Sequence, residues 1–318
     1  MLGVSVSLCR LALILSLGCA GLIGAANGIG SLIPPRLAAY ASAIGSRYTI
    51  VDLNHCISKT FLYPGLVNGL AWSPDGAYLA VRAETDTAAR NLAVLTWDSR
   101  TMIDVTDDSA NKLLPVWSAD GHMLLYASDR LDGDARYDYD IYGYEIATGT
   151  TRRLSDAYET ATTGRIDEYH AALSPDGRTL AIIGTRRSGN IKVDLLDTQT
   201  GDLTPLRAED TSVHQLVAWS PPQVSPAWVL FRAYTREPNW IQLYDASTGE
   251  MREIAFEDGN IYNMNWTSTG DIFVHWNANG TWDGFRAAVL SPMGNWTTRT
   301  PIPCIDLTRA AVLTVHIP

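Results

Sequence analysis

The sequence contains few charged residues and few cysteines. Charged residues make up 18% of the 318 positions, and the formal net charge is −10 at pH 7. Proteins that bind nucleic acid need a basic surface for the phosphates, so this charge balance argues against a nucleic-acid partner. The four cysteines include no C-x-x-C and no Cys/His pair with zinc-ligand spacing, so no structural zinc site is indicated.

The common catalytic motifs are also missing. The chain contains no G-x-S-x-G nucleophile elbow, no Walker loop, no dinucleotide-binding glycine fingerprint and no H-E-x-x-H. The sequence therefore identifies no catalytic residue and leaves open whether the protein is an enzyme.

The N-terminal region has no charged residue between Arg10 and Arg36. One interpretation of residues 1–33 is a signal peptide, with its apolar region at residues 11–17 and cleavage after Ala20 or near Ala25. The other is an apolar helix that stays uncleaved and anchors the chain in a membrane. Both place the rest of the chain outside the cytoplasm, periplasmic or at the cell surface. Residues 34–46 are predicted to be a short tether.

One turn motif recurs along the chain. Its first copy, Trp72-Ser73-Pro74-Asp75-Gly76, lies between apolar runs of strand length. The proline presets φ for the second turn position, and the glycine adopts a positive φ without steric cost, so the motif predicts a tight turn between two strands. Four further copies, two of them degenerate, begin at Trp117, Leu173, Trp219 and Trp266.

The spacing of these copies predicts the fold class. Successive copies lie 45 to 56 residues apart, which is typical of a four-stranded propeller blade. We therefore predict an all-β protein, a six-bladed antiparallel β-propeller built from residues 47–318. The tryptophans at the repeated position are expected to pack blade against blade.

The repeated W-S-P-D-G hairpin resembles the WD40-like repeat of TolB-type (PD40) β-propeller proteins. The Gly-His and Trp-Asp pairs of the ordinary WD40 repeat do not recur. The resemblance implies a scaffold that binds a protein or peptide at the cell envelope through a ring face or the channel mouth. Propellers of this type precede hydrolase domains in some peptidases, and we expect no such domain here because the chain ends with the last blade.

The sixth blade is expected to combine both ends of the chain. Residues 48–53 and 57–62 have the pattern of two outer strands with no inner hairpin before them. Residues 304–317 have the pattern of two short strands, which would complete the blade and close the ring without exposed sheet edges. Cys56 and Cys304 lie in these segments, and they form either one disulfide or two buried thiols.

An aspartate-rich segment between two strands of the second blade is a candidate metal site. Carboxylate oxygens are the ligands that Ca²⁺ prefers, although the spacing is not that of an EF-hand. The alternative is a solvated loop in which Arg130 and Arg136 offset the acidic charge. The candidate metal ligands are Asp129, Asp132, Asp134, Asp138 and Asp140.

A second insertion, residues 156–170, is the candidate binding face, because propeller surfaces for partners are built from loops on a rigid ring. His170 and His214 precede the first strands of successive blades, so both could approach one mouth of the channel. The alternative is that they are ordinary loop histidines, since two histidines make an incomplete metal site. The candidate binding residues are Asp156, Tyr158, Arg165, Glu168, His170 and His214.

Three functions are compatible with these observations. The first is a non-catalytic extracytoplasmic scaffold with an envelope protein or peptide as its partner and no cofactor. The second is a metal-dependent hydrolase or lyase of propeller type acting at the channel mouth. The third is a sensor domain whose output passes through an N-terminal anchor in the membrane.

Overall fold

The structure is a computed structural model of the 318-residue chain. It describes residues 36–41, 46–63, 65–84, 89–97, 100–113, 115–130, 139–156, 167–185, 191–206, 212–234, 239–256, 258–281, 284–291, 299–307, 310 and 312–317. The predicted N-terminal helix lies outside these residues.

The described residues form six antiparallel sheets of four strands each. The first blade contains β4 (Leu66–Trp72), β5 (Tyr78–Glu84), β6 (Arg90–Thr96) and β7 (Met102–Asp104). The second contains β8 (Val116–Trp117), β9 (Met123–Ser128), β10 (Asp140–Glu145) and β11 (Thr150–Arg153). The third contains β12 (Asp167–Leu173), β13 (Thr179–Thr185), β14 (Ile191–Asp197) and β15 (Leu203–Pro205).

The remaining blades follow the same plan. The fourth contains β16 (Ser212–Trp219), β17 (Trp228–Tyr234), β18 (Asn239–Asp245) and β19 (Met251–Phe256). The fifth contains β20 (Asn260–Trp266), β21 (Ile272–Asn277), β22 (Phe285–Leu290) and β23 (Arg299–Pro301). The sixth contains β24 (Val312–His316), β1 (Leu37–Ala41), β2 (Arg47–Asp52) and β3 (Ile57–Leu62).

The repeated turn joins the first two strands of a blade, and its side-chain hydrogen bonds are the same in the first three blades. In the first blade, Ser73 Oγ donates to Asp75 Oδ1 over 2.6 Å and accepts the Tyr78 N–H over 2.9 Å. Gly76 closes the turn at φ 71°, the left-handed region that suits glycine. Because one hydroxyl satisfies two polar groups, the motif specifies its own turn locally.

The repeated tryptophans are buried between blades, as the sequence predicted. Trp72, Trp117, Trp219 and Trp266 are each no more than 9% exposed. The Trp117 indole donates to the Ala71 carbonyl of the preceding blade over 2.9 Å, and Trp219 donates to Ala172 over 3.0 Å. Each of these two indoles therefore adds a directional bond to the apolar contact between neighbouring blades.

The sixth sheet differs from the prediction in its choice of strands. Its order is β24-β1-β2-β3, so the C-terminal part contributes one strand rather than two, and residues 304–307 form none. The missing strand is β1, which lies in the segment predicted to be a tether. All five residues of β1 except the half-buried Tyr40 are buried, and small alanines let this strand pack between β24 and β2.

Cys56 and Cys304 form a disulfide with a Cα–Cα distance of 5.2 Å. Cys56 belongs to the turn between β2 and β3, and Cys304 precedes β24. Both residues have a positive φ, 55° and 68°. The bond thus ties two segments that are 248 residues apart in the sequence.

Candidate functional site

The first strands of the blades line a central channel, and one cavity in it lies toward the beginnings of these strands. Its volume is about 270 Å³, and we call it the channel cavity. The apolar part of its wall includes Leu216 and Met264. The polar side chains used below are Asn68, Arg82, His170, Asn263, His275 and Thr314.

The opposite end of the channel is nearly filled. The repeated turns and their tryptophans surround a cavity of only about 50 Å³ there, with His316 among its lining residues. Large indole rings at successive turns occupy the space that a ligand would need. Of these two cavities, the channel cavity is therefore the one with room for a ligand group.

Irregular strand pairing distinguishes the channel-cavity end of the blades. The pairing register shifts near the start of the first strand in four blades, between Val67 and Gly69 in the first and between Ile261 and Asn263 in the fifth. Similar shifts occur in β12 and β16. A bulge redirects a side chain out of the regular alternation. Here it brings Asn68 and Tyr262 to the channel cavity.

One position of the repeat carries polar side chains at the blade junctions. Tyr78, Trp228 and Asp271 occupy equivalent places, since the carbonyl of each accepts the N–H of the turn Ser or Thr. The fourth residue after each of them is Arg82, Arg232 and His275 respectively. Both arginines donate through Nη1 to a carbonyl before or within the next blade's first strand, Arg82 to Lys112 and Arg232 to Ile261.

Three hydrogen bonds hold the Arg82 guanidinium in a fixed orientation. Nε donates to Asn68 Oδ1 over 2.8 Å, Nη1 to the Lys112 carbonyl over 3.2 Å, and Nη2 to the Asn68 carbonyl over 3.4 Å. Burial, followed by the charge of Arg90, lowers the pKa of Arg82 to about 10. Arg82 remains a cation at neutral pH in a poorly solvated place.

His170 lines the channel cavity and is neutral at pH 7. The ring is buried, and Nδ1 accepts the Val217 N–H of the next blade over 3.2 Å. Burial lowers the pKa of His170 to about 4. Because Nδ1 is an acceptor, the single ring proton of neutral His170 lies on Nε2, which makes no hydrogen bond to any other described residue.

His275 is fully buried and stacks on aromatic rings. Its centroid lies 5.1 Å from that of Phe285 and 6.3 Å from that of Tyr262. Neither ring nitrogen makes a hydrogen bond of ordinary geometry. Burial lowers the pKa of His275 to about 4, with a smaller opposing effect from the nearby Ala310 backbone.

The structure brings one predicted binding residue, His170, to the channel cavity. His170 and His214 were predicted to precede the first strands of their blades, but they lie within these strands, β12 and β16. Glu168 also lies on β12. Asp156 is exposed, and its Oδ1 lies 3.3 Å from Nη1 of Arg153. Tyr158 and Arg165 lie outside the described residues. The proposed roles of these residues in binding stay predictions.

The two described members of the predicted metal site bind protein groups. Asp129 accepts the Asn111 N–H over 2.5 Å and its side-chain amide over 3.0 Å. Asp140 pairs with Arg153 over 2.5 Å. In the part of the chain that the structure describes, no three His, Cys, Asp or Glu side chains form a metal-binding group. Asp132, Asp134 and Asp138 lie outside that part, so the Ca²⁺ site stays a prediction.

Sequence reasoning missed Arg82 and Asn68. A signal was present, because Arg82 is a charge in the middle of a mostly apolar strand, at the repeat position that Arg232 and His275 also occupy. Asn68 gave no such signal, since a bulge in strand pairing decides where its side chain points.

Six four-stranded antiparallel sheets around a channel define a six-bladed β-propeller with a cavity of ligand-group size at one end of the channel. The family model PD40, described as the TolB beta propeller domain, matches residues 49–270 of the chain. This match covers more than half of the sequence, and the protein belongs to that family.

Solved structures with the same fold come from unrelated settings. TolB from Acinetobacter baumannii is 16% identical with a TM-score of 0.61, and the match covers 81% of this chain and 62% of TolB. A chain of the nidogen/laminin complex is 10% identical with a TM-score of 0.60, over 89% of this chain and 98% of that one. The propeller domain of the Trilobed protease from Pyrococcus furiosus is 14% identical with a TM-score of 0.55, over 82% and 81%. No curated protein sequence matches the chain. At these identities, the structural likeness concerns the fold alone.

Proposed function

We propose that the protein is a non-catalytic binding scaffold that receives a segment of an envelope protein or peptide at the channel-cavity end of the ring. The observation that carries this proposal is the cavity itself, which combines apolar walls with fixed polar groups. Tyr262 lies at the cavity and is 52% exposed, so an aromatic surface is available to a partner there.

We propose an extracytoplasmic location for the scaffold. The disulfide between Cys56 and Cys304 supports it, because such bonds persist in oxidising compartments. The uncharged N-terminal stretch also supports it, as a cleaved signal peptide or as a membrane anchor. Among the described residues, which begin at Arg36, no helix is long and apolar enough to cross a membrane.

The joining of β24 to β1 supports a further part of the proposal, namely that both ends of the propeller hold the ring closed. Pairing of all five β1 residues with β24 would cover the edge that a free β1 exposes. A soluble ring for experiments must therefore include β1 and begin no later than Arg36.

Affinity capture with the tagged full chain tests the scaffold proposal. Envelope extract is passed over the wild type, over Tyr262→Glu at the channel cavity, and over the control Leu62→Glu on the outer strand β3. Leu62 is 74% exposed, so the control places the same charge on an exposed apolar site far from the channel. We expect partners to bind the wild type and the control and to be lost from Tyr262→Glu.

Two results would contradict this proposal. Equal capture by all three proteins would mean that the channel-cavity end is not the binding surface. A folded wild type that captures no protein or peptide would argue against a protein-binding scaffold altogether.

A further inference from the structure

The channel cavity contains one cation whose charge has no direct partner. At neutral pH, Arg82 is the one charged side chain among the described residues that line it. Within the described part of the chain, no carboxylate oxygen lies within 4.0 Å of its guanidinium. Glu84, two residues further along β5, pairs instead with Arg90 over 3.4 Å.

The chain has a net charge of −10, so carboxylates outnumber basic side chains. Some described arginines pair with them, such as Arg178 with Asp197 over 3.0 Å and Arg252 with Glu250 over 3.2 Å, whereas Arg82 does not. Partial burial removes some of the hydration of the Arg82 cation, and the attraction of Glu84, which lies more than 4.0 Å away, offsets only part of that cost. An anion in the cavity would offset that cost.

The neighbouring polar groups suit an anion rather than a cation. Arg82 has five N–H groups and uses three in the hydrogen bonds to Asn68 and Lys112, so two remain. His170 and Thr314 both line the cavity. His170 has a proton on Nε2 that no described residue accepts, and Thr314 Oγ1 accepts the Trp72 N–H over 3.4 Å, which leaves its hydroxyl proton to donate. No Asp or Glu is among the described lining residues.

We propose that Arg82 binds a carboxylate group in the channel cavity, with His170 and Thr314 as additional donors. A planar guanidinium held in place by three hydrogen bonds is suited to a carboxylate, which it meets through two parallel N–H groups. The cavity of about 270 Å³ suits the end of a molecule rather than a large ligand. The carboxylate belongs either to the C-terminus of a peptide or to a free small organic acid. This proposal rests on the proposed function in placing the ligand at the channel-cavity end.

Calorimetric titration of the full chain tests the proposal with three probes. They are N-acetyl-trialanine with a free carboxylate, the same peptide as its C-terminal amide, and succinate. We expect the free carboxylate to bind about tenfold or more tightly than the amide, because the amide lacks the charge that Arg82 recognises. Tighter binding of the peptide than of succinate identifies a peptide terminus, and the reverse order identifies a free acid.

Variants assign the binding to Arg82. Arg82→Gln should weaken carboxylate binding about tenfold or more, and Arg82→Lys should weaken it less, because lysine keeps the charge without the two-pronged geometry. The control Arg178→Gln makes the same charge change on an exposed arginine of the repeated turn in the third blade and should leave binding unchanged. If Arg82→Gln does not fold, the comparison of acid and amide on the wild type decides.

The outcomes separate this inference from the proposed function. Equal binding of acid and amide peptides would overturn the carboxylate site and leave a peptide-binding scaffold. Binding of succinate without either peptide would support the carboxylate site and argue against a peptide scaffold. Binding of none of the probes, or unchanged affinity in a folded Arg82→Gln variant, would overturn the inference.

Discussion

One position on the second strand of each blade carries different side chains although the backbone of the blades is the same. Arg82, Arg232 and His275 occupy the same place on the second strand of three blades, whereas the second blade has Ala127 and the third has Ile183 there. The backbone plan is the same at all five places. The side chain therefore varies with the groups across the blade junction rather than with strand formation.

His275 gives a prediction about pH at the residue scale. Its pKa is about 4 in the folded protein, against an ordinary value of 6.5, and that of His170 is shifted in the same way. As pH falls below 6.5, the unfolded chain takes up a proton at each position that the folded chain does not. Each of the two histidines therefore lowers the free energy of unfolding by about 3 kcal/mol as the pH falls from 6.5 to 4.

Replacing His275 by phenylalanine should remove one of these contributions. The imidazole stacks on Phe285 and makes no ordinary hydrogen bond, so we expect little loss of stability at pH 7.5. Urea unfolding between pH 4.5 and 7.5 should show a shallower fall for His275→Phe than for the wild type. The control His122→Phe changes an exposed histidine, and an equal slope in all three proteins would contradict the prediction.

Asp176, in the repeated turn of the third blade, acts in a lower pH range than the two histidines. The hydrogen bond from Ser174 and those from the backbone lower the pKa of Asp176 below its ordinary 3.8. A carboxyl with a lowered pKa stabilises the fold above 3.8, and this stabilisation is lost as pH falls through the folded value. The loss of stability caused by the two histidines can therefore be measured above pH 4, where the contribution of Asp176 does not change.

At the scale of the element, the repeated turn has one local conformation but different neighbours in each blade. Gly76 and Gly177 close equivalent turns at φ 71° and 70°. A Cβ on Gly76 would lie 2.6 Å from Cδ2 of His316, in the adjoining sixth blade, whereas a Cβ on Gly177 would meet no atom within 4 Å. Comparing a substitution at Gly177 with one at Gly76 therefore distinguishes the cost of backbone strain from the cost of a clash between blades.

Substituting each glycine by alanine should reveal this difference. Gly177→Ala should cost about 1–2 kcal/mol, the penalty of a left-handed residue with a Cβ. Gly76→Ala should cost this amount and a further 1–3 kcal/mol, roughly, for displacing the buried His316 ring. Urea unfolding measures both free energies.

A double-mutant cycle provides the control. His316→Ala should reduce the cost of Gly76→Ala toward that of Gly177→Ala, and it should not change the cost of Gly177→Ala. Equal costs for the two glycine variants in the wild-type background would show that the contact with His316 does not constrain the turn.

At the scale of the molecule, the disulfide between Cys56 and Cys304 constrains almost the whole propeller. It joins positions 248 residues apart, and the entropy that such a cross-link removes from the unfolded chain grows with loop length. We expect the double variant Cys56→Ser/Cys304→Ser to lose about 5 kcal/mol in its free energy of unfolding.

Reductant supplies the matched experiment. Dithiothreitol should destabilise the wild type to the level of the double variant and should have no effect on the double variant. The second comparison controls for Cys9 and Cys19, which both proteins retain. A wild type whose unfolding is insensitive to reductant would contradict the prediction.

The sequence alone determined the blade and its repetition. The turn beginning at Trp72 is specified by residues within a few positions of one another, through the hydroxyl of Ser73, the carboxylate of Asp75 and the φ of Gly76. Local chemistry of this kind is visible in any copy, and its spacing predicted the all-β propeller that the structure contains. The same pattern predicted the burial of the repeated tryptophans.

Tertiary structure alone decided the features that depend on distant partners. The Leu37–Ala41 segment is a strand because β24 and β2 lie on either side of it. Its short, alanine-rich sequence does not by itself predict a strand. Cys56 meets Cys304 across 248 residues, and Arg82 reaches the channel because a bulge and the next blade supply its acceptors. His170 was predicted near the channel mouth as a residue preceding a first strand, and it lies at the channel cavity within that strand, β12. Its contact with Val217 and its loss of basicity follow only from the packing of neighbouring blades, because burial is a property of the assembled ring.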